Sequence, residues 1–407
     1  MAQEFERGTR AVLPMPPPMP FPERGLPEQA VLDSIQDYLN GDPYETENNF
    51  GISYVGPPHS IAAKAARLAA ETVFVDWASD MFPGTRRLEK EAVRMMGSLL
   101  GASDAAGFIT TGGTESNMLA VRLARDLARR SDPEIVMPET AHFSFRLAAE
   151  LFGIRIRYIP VGDYLRPDMS AVESLINRNT VALICSAPEG HLGTLDPVEE
   201  FSRLAERTGI YLHVDAAFGG FILPFMRDLE YPVPPFDFSL PGVRSMMTDG
   251  HKLGMLPVAT GFFIVRDRAD LQALPTEDTL IHTLSSTKPG THAAAAWAVM
   301  THLGREGYRR SVRDVLDVVR IICEGVDRID GLRLVVPPLI TVVNITSDTL
   351  DMEKVYRGLR SRGWGSTFGE LKGRPHIRLS IHPSRDRGHA EGLVCALDES
   401  AREARNA

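Results

Sequence analysis

One lysine in this chain lies at a position where its amine could act as a nucleophile. Lys252 follows His251 in the stretch Ser245–Gly254, where a short apolar run ends in a polar turn. A lysine held in such a place can lose its charge by desolvation and act as a nucleophilic amine. A neutral amine can form a Schiff base with a carbonyl group. Taken alone, a surface lysine at a strand end is the simpler interpretation.

A carboxylate closes a second apolar run. Asp215 ends the run Tyr211–Val214 and is followed by two alanines, a phenylalanine and two glycines. Burying this carboxylate is costly without a cationic partner, and a protonated pyridine nitrogen is such a partner. Ala217 would leave room for a flat ring. The alternative is an aspartate that caps a following helix, which the glycines argue against.

A glycine-rich turn further upstream suits an anion. It reads as a short strand, a turn and a helix start, with Thr111, Gly112, Gly113 and Thr114 at the helix N-terminus. Backbone N–H groups and the helix dipole favour a single phosphate monoester there. The segment matches neither a Walker loop nor a dinucleotide-binding fingerprint. A plain capped helix explains this stretch alone equally well.

Four further residues are candidates for binding or proton transfer. His142 precedes a predicted helix and could stack on a cofactor ring, although a lone histidine more often caps a helix or fills a core. Tyr54 and His282 fall in predicted loops, where binding groups collect. Arg378 is a candidate for a substrate carboxylate, although a surface or structural role is the commoner one for an arginine.

Helical and strand patterns alternate around these residues. Apolar runs predict strands at 134–137, 154–161, 181–185 and 210–214, with helices between them. This alternation is typical of an α/β fold whose mainly parallel sheet is covered on both faces. Ligands bind beyond the carboxyl ends of such strands, where His142, Asp215 and Lys252 fall.

The same patterns divide the chain into three parts. We predict an N-terminal arm and segment (1–60), a large cofactor-binding domain (61–325) and a small C-terminal α+β domain (326–407). The proline-rich stretch Pro14–Pro22 cannot form a helix, so an extended arm or a disordered tail is expected there.

Composition excludes several classes of protein. The chain has 407 residues and a net charge of -9, which argues against a nucleic-acid surface. Its three cysteines are widely spaced, which indicates neither a disulfide framework nor a metal site and fits a reducing cytoplasm. No apolar run is long enough to span a bilayer, and no signal-peptide pattern opens the chain. We therefore expect a cytoplasmic protein without a metal.

Four motifs in this order resemble those of the group II decarboxylases that depend on pyridoxal 5'-phosphate (PLP). They are Thr111–Asn117, Ala141–Phe145, His213–Gly220 and Asp249–Gly254. The archaeal tyrosine/aspartate decarboxylase type is the most similar, whereas Phe82–Gly84 and Cys185–Pro188 look more like sphingosine phosphate lyase. The resemblance extends over roughly 48–382, which is most of the chain.

The resemblance implies a fold type I PLP enzyme, normally a homodimer with its active sites at the interface. Lys252 would be joined to the cofactor aldehyde. Asp215 would pair with the pyridine nitrogen and keep the ring an electron sink. His142 would stack on the ring.

The resemblance also implies a phosphate site. Gly113 and Thr114 would bind the phosphate, with help from His251 and from Ser286 or Thr287 of the partner subunit. Thr111 and Gly112 would complete the same turn.

One departure from the family bears on the reaction. In the decarboxylases, a tyrosine on the loop after the lysine commonly protonates Cα, but Leu253–Gly307 contains no tyrosine. Either His282 or Tyr54 substitutes for it, or the reaction differs from simple decarboxylation.

We therefore expect a PLP-dependent carbon–carbon lyase. An L-amino-acid decarboxylase that releases an amine and CO2 from a tyrosine- or aspartate-like substrate is the first expectation. The alternative is a retro-aldol lyase acting on a phosphorylated amino alcohol, which would need an extra basic site, with Lys288 or Arg378 as candidates. An aminotransferase would need an arginine placed for the carboxylate. A non-catalytic relative should lack the lysine–aspartate pair.

Overall fold

The structure, a computed structural model, describes residues 23–40, 48–52, 59–72, 82–274, 283–284 and 290–406. The helices are α1 (Glu28–Leu39), α2 (Ser60–Thr72), α3 (Pro83–Leu99), α4 (Gly113–Ala128), α5 (Ser144–Phe152), α6 (Met169–Leu175), α7 (Val198–Thr208), α8 (Leu223–Asp228), α9 (Gly290–Arg328), α10 (Met352–Ser361) and α11 (Arg387–Asn406). The strands are β1 (Ala106–Thr110), β2 (Glu134–Pro138), β3 (Arg155–Ile159), β4 (Thr180–Ser186), β5 (Tyr211–Asp215), β6 (Val243–Asp249), β7 (Gly261–Val265), β8 (Arg333–Leu334), β9 (Val342–Thr346), β10 (Thr367–Leu371) and β11 (Arg374–Ser380). Within these residues, no helix combines the length and the apolarity that crossing a bilayer requires.

A seven-stranded sheet forms the centre of the large domain. Its strand order is β1-β7-β6-β5-β4-β2-β3. The pairs from β6 to β3 are parallel, and β7 runs antiparallel to both of its neighbours. The predicted α/β fold with a mainly parallel sheet is thus confirmed, and the four predicted strands correspond to β2, β3, β4 and β5.

The central strands of the sheet are buried on both faces, which explains why β4 is a nearly continuous apolar run. All seven residues of β4 are buried. Successive side chains of a strand point to opposite faces. Leu183 and Cys185 pack into one apolar cluster, and Ala182 and Ile184 pack into the other. A strand held from both sides presents its carboxyl end in a fixed position.

A smaller antiparallel sheet lies in the C-terminal part of the chain. Its order is β10-β11-β9-β8. The N-terminal segment 48–52 pairs with it, because Phe50 donates its N–H to the Gly365 carbonyl at 2.8 Å and accepts from the Ser380 N–H at 2.6 Å. Phe50 is fully buried. This segment therefore belongs structurally with the small sheet, an association that the sequence division did not predict.

One long helical element follows the large sheet. The sequence predicts a helix for 291–303 that continues helically over 311–329, and α9 extends over both segments. Gly304 interrupts α9 with a φ of 52° and a ψ of -171°. Glycine adopts this left-handed φ without the steric cost that a side chain brings.

Candidate active site

The carboxyl ends of three neighbouring parallel strands bring the predicted residues together. Ser186 ends β4, Asp215 ends β5 and Asp249 ends β6. The register aligns Ser186 with Asp215, and Asp215 with Met247. Lys252 lies in the turn directly after β6. The aspartate and the lysine therefore lie at the same edge of the sheet, as expected for a ligand site in such a fold.

Lys252 is not a surface lysine. Its side chain is 15% exposed, and Nζ lies 2.9 Å from Oδ2 of Asp249. The same Nζ lies 4.4 Å from the ring centroid of Phe218. An ion pair and an aromatic face thus fix the position of the amine.

Asp215 is a buried carboxylate whose two oxygens are bound by neutral donors. It is 5% exposed. Oδ2 accepts from Nδ2 of Asn117 at 2.9 Å, and Oδ1 accepts from the N–H of Ala217 at 3.1 Å. The bond from Ala217 is of the kind that a capping aspartate accepts. The bond from Asn117 comes from α4 and orients the carboxylate. Neutral donors leave the charge of the carboxylate available to a cationic ligand group.

A chain of buried polar groups orients Asn117. The Asn117 Oδ1 lies 3.0 Å from Nε2 of His213, and the His213 Nδ1 lies 2.8 Å from Oγ of Ser245. Burial lowers the pKa of His213 to about 3, so its ring is neutral. Because Nδ2 of Asn117 donates to Asp215, its Oδ1 must accept from the histidine. The His213 ring thus fixes which way the amide faces.

The buried His213 predicts acid sensitivity. The native pKa of His213, about 3, lies below the ordinary value near 6.5. Between these two values the histidine is protonated in the unfolded chain but not in the native protein. Below about pH 6.5 stability should therefore fall by about 1.4 kcal/mol per pH unit from this residue, and above that pH it contributes nothing. His376 and His382, whose pKa values burial also lowers to about 4, act in the same direction.

The measurement is the melting temperature between about pH 7 and about pH 5. The wild type should melt at a lower temperature as the pH falls, and His213→Asn should lose less over the same range although it starts lower. Equal slopes for the two proteins would show that His213 is protonated in the native state.

The predicted anion site falls at the N-terminus of α4. Gly112 has a φ of 119°. A Cβ at Gly113 would lie 2.4 Å from Cε of Met247 and 2.9 Å from both carboxylate oxygens of Asp249, so only glycine fits. Thr111 donates its N–H and its hydroxyl to Glu115, at 2.7 and 2.9 Å. The first-turn amides of α4, those of Gly113 and Thr114 among them, have no intrahelical acceptor and can face an anion.

Two predicted histidines stand beside this site. A Cβ at Gly112 would lie 3.5 Å from Cε1 of His251, which places that ring next to the glycine turn. His142 is exposed, and its Nδ1 lies 2.8 Å from Oγ of Ser144. Surrounding protein desolvates the ring and lowers the pKa of His142, and the charge of Asp215 opposes this effect. A neutral ring near Asp215 fits the predicted stacking role.

The small domain brings a cation to the same region. Nη1 of Arg378, on β11, donates to the Gly190 carbonyl in the loop after β4 at 3.0 Å. His191 and His376 lie close enough to Arg378 for their charges to interact. The predicted residues Tyr54, His282 and Ser286 lie outside the described residues, so their roles stay predictions.

The sequence reasoning missed three residues of this region. Asn117, Glu189 and Asp249 are all buried polar side chains. The signal for each was a polar residue close to an apolar run, where burial demands a partner. The sequence alone does not show which partner that is.

The residues present fit PLP. The cofactor has an aldehyde, a ring nitrogen and a phosphate, and the site offers an amine, a buried carboxylate and a helix N-terminus. Within the described chain, Oδ1 of Asp249 and Oγ1 of Thr248 are buried and have no hydrogen-bond partner. The Asp249 oxygen lies beside Gly113 and Lys252 and can accept a hydrogen bond from a further polar group.

Comparisons with known proteins identify the family of this chain. The model of the pyridoxal-dependent decarboxylase conserved domain matches residues 18–345. A probable L-tyrosine/L-aspartate decarboxylase of Methanothermobacter thermautotrophicus is 40% identical over 323 residues, covering 78% of this chain and 88% of the relative. L-aspartate decarboxylase of Thermococcus kodakarensis is 35% identical over 389 residues, covering 94% and 99%.

Solved structures show the same fold. Sphingosine-1-phosphate lyase of Burkholderia pseudomallei superposes with a TM-score of 0.87 at 29% identity, covering 97% of this chain and 94% of that one. Glutamate decarboxylase of Lactobacillus brevis gives a TM-score of 0.84 at 19% identity, covering 96% of each chain. The expected fold type I and the expected cofactor, PLP, are confirmed. This chain belongs to the pyridoxal-dependent decarboxylase family.

Proposed function

We propose that this enzyme decarboxylates an acidic L-amino acid, with L-aspartate as the substrate. The observation that carries the choice of substrate is the arginine and the two histidines at the Gly190 loop, which borders the Phe218 ring beside Lys252. Arg378, His191 and His376 lie within reach of one another's charges. Burial lowers the pKa of both imidazoles, so Arg378 supplies the positive charge and the two neutral rings can supply N–H donors. This combination favours an anionic side chain over a phenol. The names of the two relatives, which include aspartate, support the same choice.

We assign the residues the following roles. PLP, when bound, supplies the electron sink that accepts the electrons released when CO2 leaves. Asp215 holds the proton on the ring nitrogen, and Asn117 keeps that carboxylate oriented. Nζ of Lys252 forms an ion pair with Asp249. When this amine is not joined to the cofactor, it can act as an acid or a base. His142 packs on the ring, and Arg378 binds a substrate carboxylate.

The group that returns a proton to the product is a separate question. The first tyrosine after Lys252 is Tyr308, whose hydroxyl donates to the Gly254 carbonyl at 3.1 Å. Its ring is buried and stacks on Phe225. Tyr308 is therefore a packing residue and does not replace the loop tyrosine of the family. Among the described residues, Lys252 and His142 are the candidates for this proton transfer.

A retro-aldol lyase is the second candidate. The likeness to sphingosine-1-phosphate lyase and the absence of a tyrosine from 253–307 both favour it. This reaction would need a cationic site for the substrate phosphate. Arg378 is the described candidate for it, and Lys288 lies outside the described residues.

We also propose a cytoplasmic homodimer. No residue of α1 is buried, and Leu32 and Ile35 expose one apolar face of it. Phe143, Leu147 and Leu151 form a second exposed apolar row along α5, beside the site. Exposed rows of this kind are typical of surfaces that another chain covers. The three cysteines are all free thiols, as a reducing compartment favours.

The dimer has a direct check. Light scattering on the purified protein should give twice the chain mass of 44.8 kDa. A monomer at micromolar concentration would exclude an interface of the size that stable dimers need.

The substrate is tested with purified enzyme, added PLP and four compounds. These are L-aspartate, L-glutamate, L-tyrosine and a phosphorylated amino alcohol, with products identified by mass spectrometry. The proposal predicts β-alanine from L-aspartate at the highest kcat/KM. An aldehyde together with phosphoethanolamine would instead establish the lyase reaction.

A further inference from the structure

A buried carboxylate folds the loop that follows β4. Glu189 is 1% exposed. Its Oε2 accepts from the N–H of His191 at 2.6 Å, and its Oε1 accepts from the N–H groups of Leu192 and Thr194 at 2.6 and 3.2 Å. A carboxylate that binds three N–H groups of its own loop determines the conformation of that loop. The roles described above do not use this residue.

The loop connects the lysine to the small domain. A Cβ at Gly190 would lie 3.9 Å from Cε2 of Phe218, and the ring of Phe218 lies 4.4 Å from Nζ of Lys252. On the other side, the Gly190 carbonyl accepts from Nη1 of Arg378. The loop therefore forms a wall between the amine and the arginine.

His191 is the titratable side chain that this loop brings to the site. It is half-buried, and it lies close enough to both His142 and Arg378 for electrostatic interaction. Burial lowers the pKa of His191, so the ring is neutral near pH 7. A neutral imidazole still donates one N–H to a carboxylate.

We propose that His191 recognises the side-chain carboxylate of the substrate and that Glu189 is the residue that positions it. The inference rests on the proposed function, because it requires an acidic substrate. Decarboxylation removes one carboxylate and keeps the other, so the two need separate donors. Arg378 and His191 are two such donors, held in a fixed relation by the Gly190 carbonyl and by Glu189. A tyrosine-like substrate has no carboxylate for His191 to bind.

The kinetic test compares PLP-loaded wild type, His191→Gln and Glu189→Gln. KM for L-aspartate should rise about tenfold or more in His191→Gln, whereas kcat should change by less than about threefold. The kcat/KM for L-tyrosine should stay within about threefold of the wild-type value. Glu189→Gln should show the same pattern, because an amide places an N–H against the N–H of His191. PLP affinity should be unchanged in both variants, which general damage to the site would not allow.

A binding measurement separates this inference from the proposed reaction. Succinate is a dicarboxylate without an amine, so calorimetry with the PLP-loaded enzyme measures recognition without turnover. Its Kd should rise about tenfold in His191→Gln. His389→Gln changes a histidine at the start of α11 that pairs with Asp386, and it should bind succinate as the wild type does. Equal succinate affinity in the wild type and His191→Gln overturns the inference. His191-dependent succinate binding without CO2 release from L-aspartate supports it and overturns the proposed reaction.

Discussion

Replacing Lys252 with alanine should abolish the visible absorbance that PLP acquires when it is joined to a lysine. Turnover should fall by about a thousandfold or more, because both the covalent attachment and the nearest acid–base group are lost. PLP itself should still bind, since the N-terminus of α4 and Asp215 remain. The measurements are the absorption spectrum, the PLP content after gel filtration, and kcat.

A matched variant separates this effect from a general effect of losing a lysine. Lys354→Ala removes an exposed lysine from α10 and should leave both the spectrum and kcat unchanged. If the lysine-linked absorbance survives in Lys252→Ala, another amine carries the cofactor and the assignment of this site is wrong.

Replacing Asp215 with asparagine should lower kcat by about a hundredfold to a thousandfold. Asparagine keeps the size of the side chain and can still accept from Asn117, but it has no charge to hold a proton on the ring nitrogen. The effect should therefore appear in kcat at saturating PLP, while the folded structure is retained. Steady-state kinetics and a thermal melt measure the two separately.

The control for this variant is another buried carboxylate. Asp237 is 1% exposed, and its Oδ2 accepts from Nη1 of Arg227 at 2.9 Å. Asp237→Asn should lower the melting temperature but leave kcat at saturating PLP close to that of the wild type. A kcat for Asp215→Asn within threefold of the wild type would mean that its charge does not act on the cofactor.

Sequence reasoning identified the residues that follow buried strands. The strands preceding Asp215 and Lys252 are apolar runs, because the sheet is covered on both faces. The parallel arrangement then places their carboxyl ends side by side, so two distant residues could be assigned to one site from the pattern alone. The glycine turn before α4 was recognisable for the same reason, since it follows β1 directly.

The contacts that orient these residues were not predictable from the sequence. Asn117 and Asp215 are 98 residues apart, and Asn117 and His213 are 96 apart. Such partners are known only once the strand order is known. Local patterns were also weak in the small domain. The strand Thr367–Leu371 is short and contains Gly369. In α11, charged residues separate the apolar positions. For these reasons, neither element was predicted.

The fate of the α-carboxylate decides whether this enzyme is a decarboxylase. L-aspartate labelled with carbon-13 in that group is incubated with the PLP-loaded enzyme, and the label is traced by mass spectrometry. The account predicts labelled CO2 and unlabelled β-alanine in equal amounts. Label retained in a keto acid, or no CO2 while a phosphorylated amino alcohol is cleaved, would contradict it.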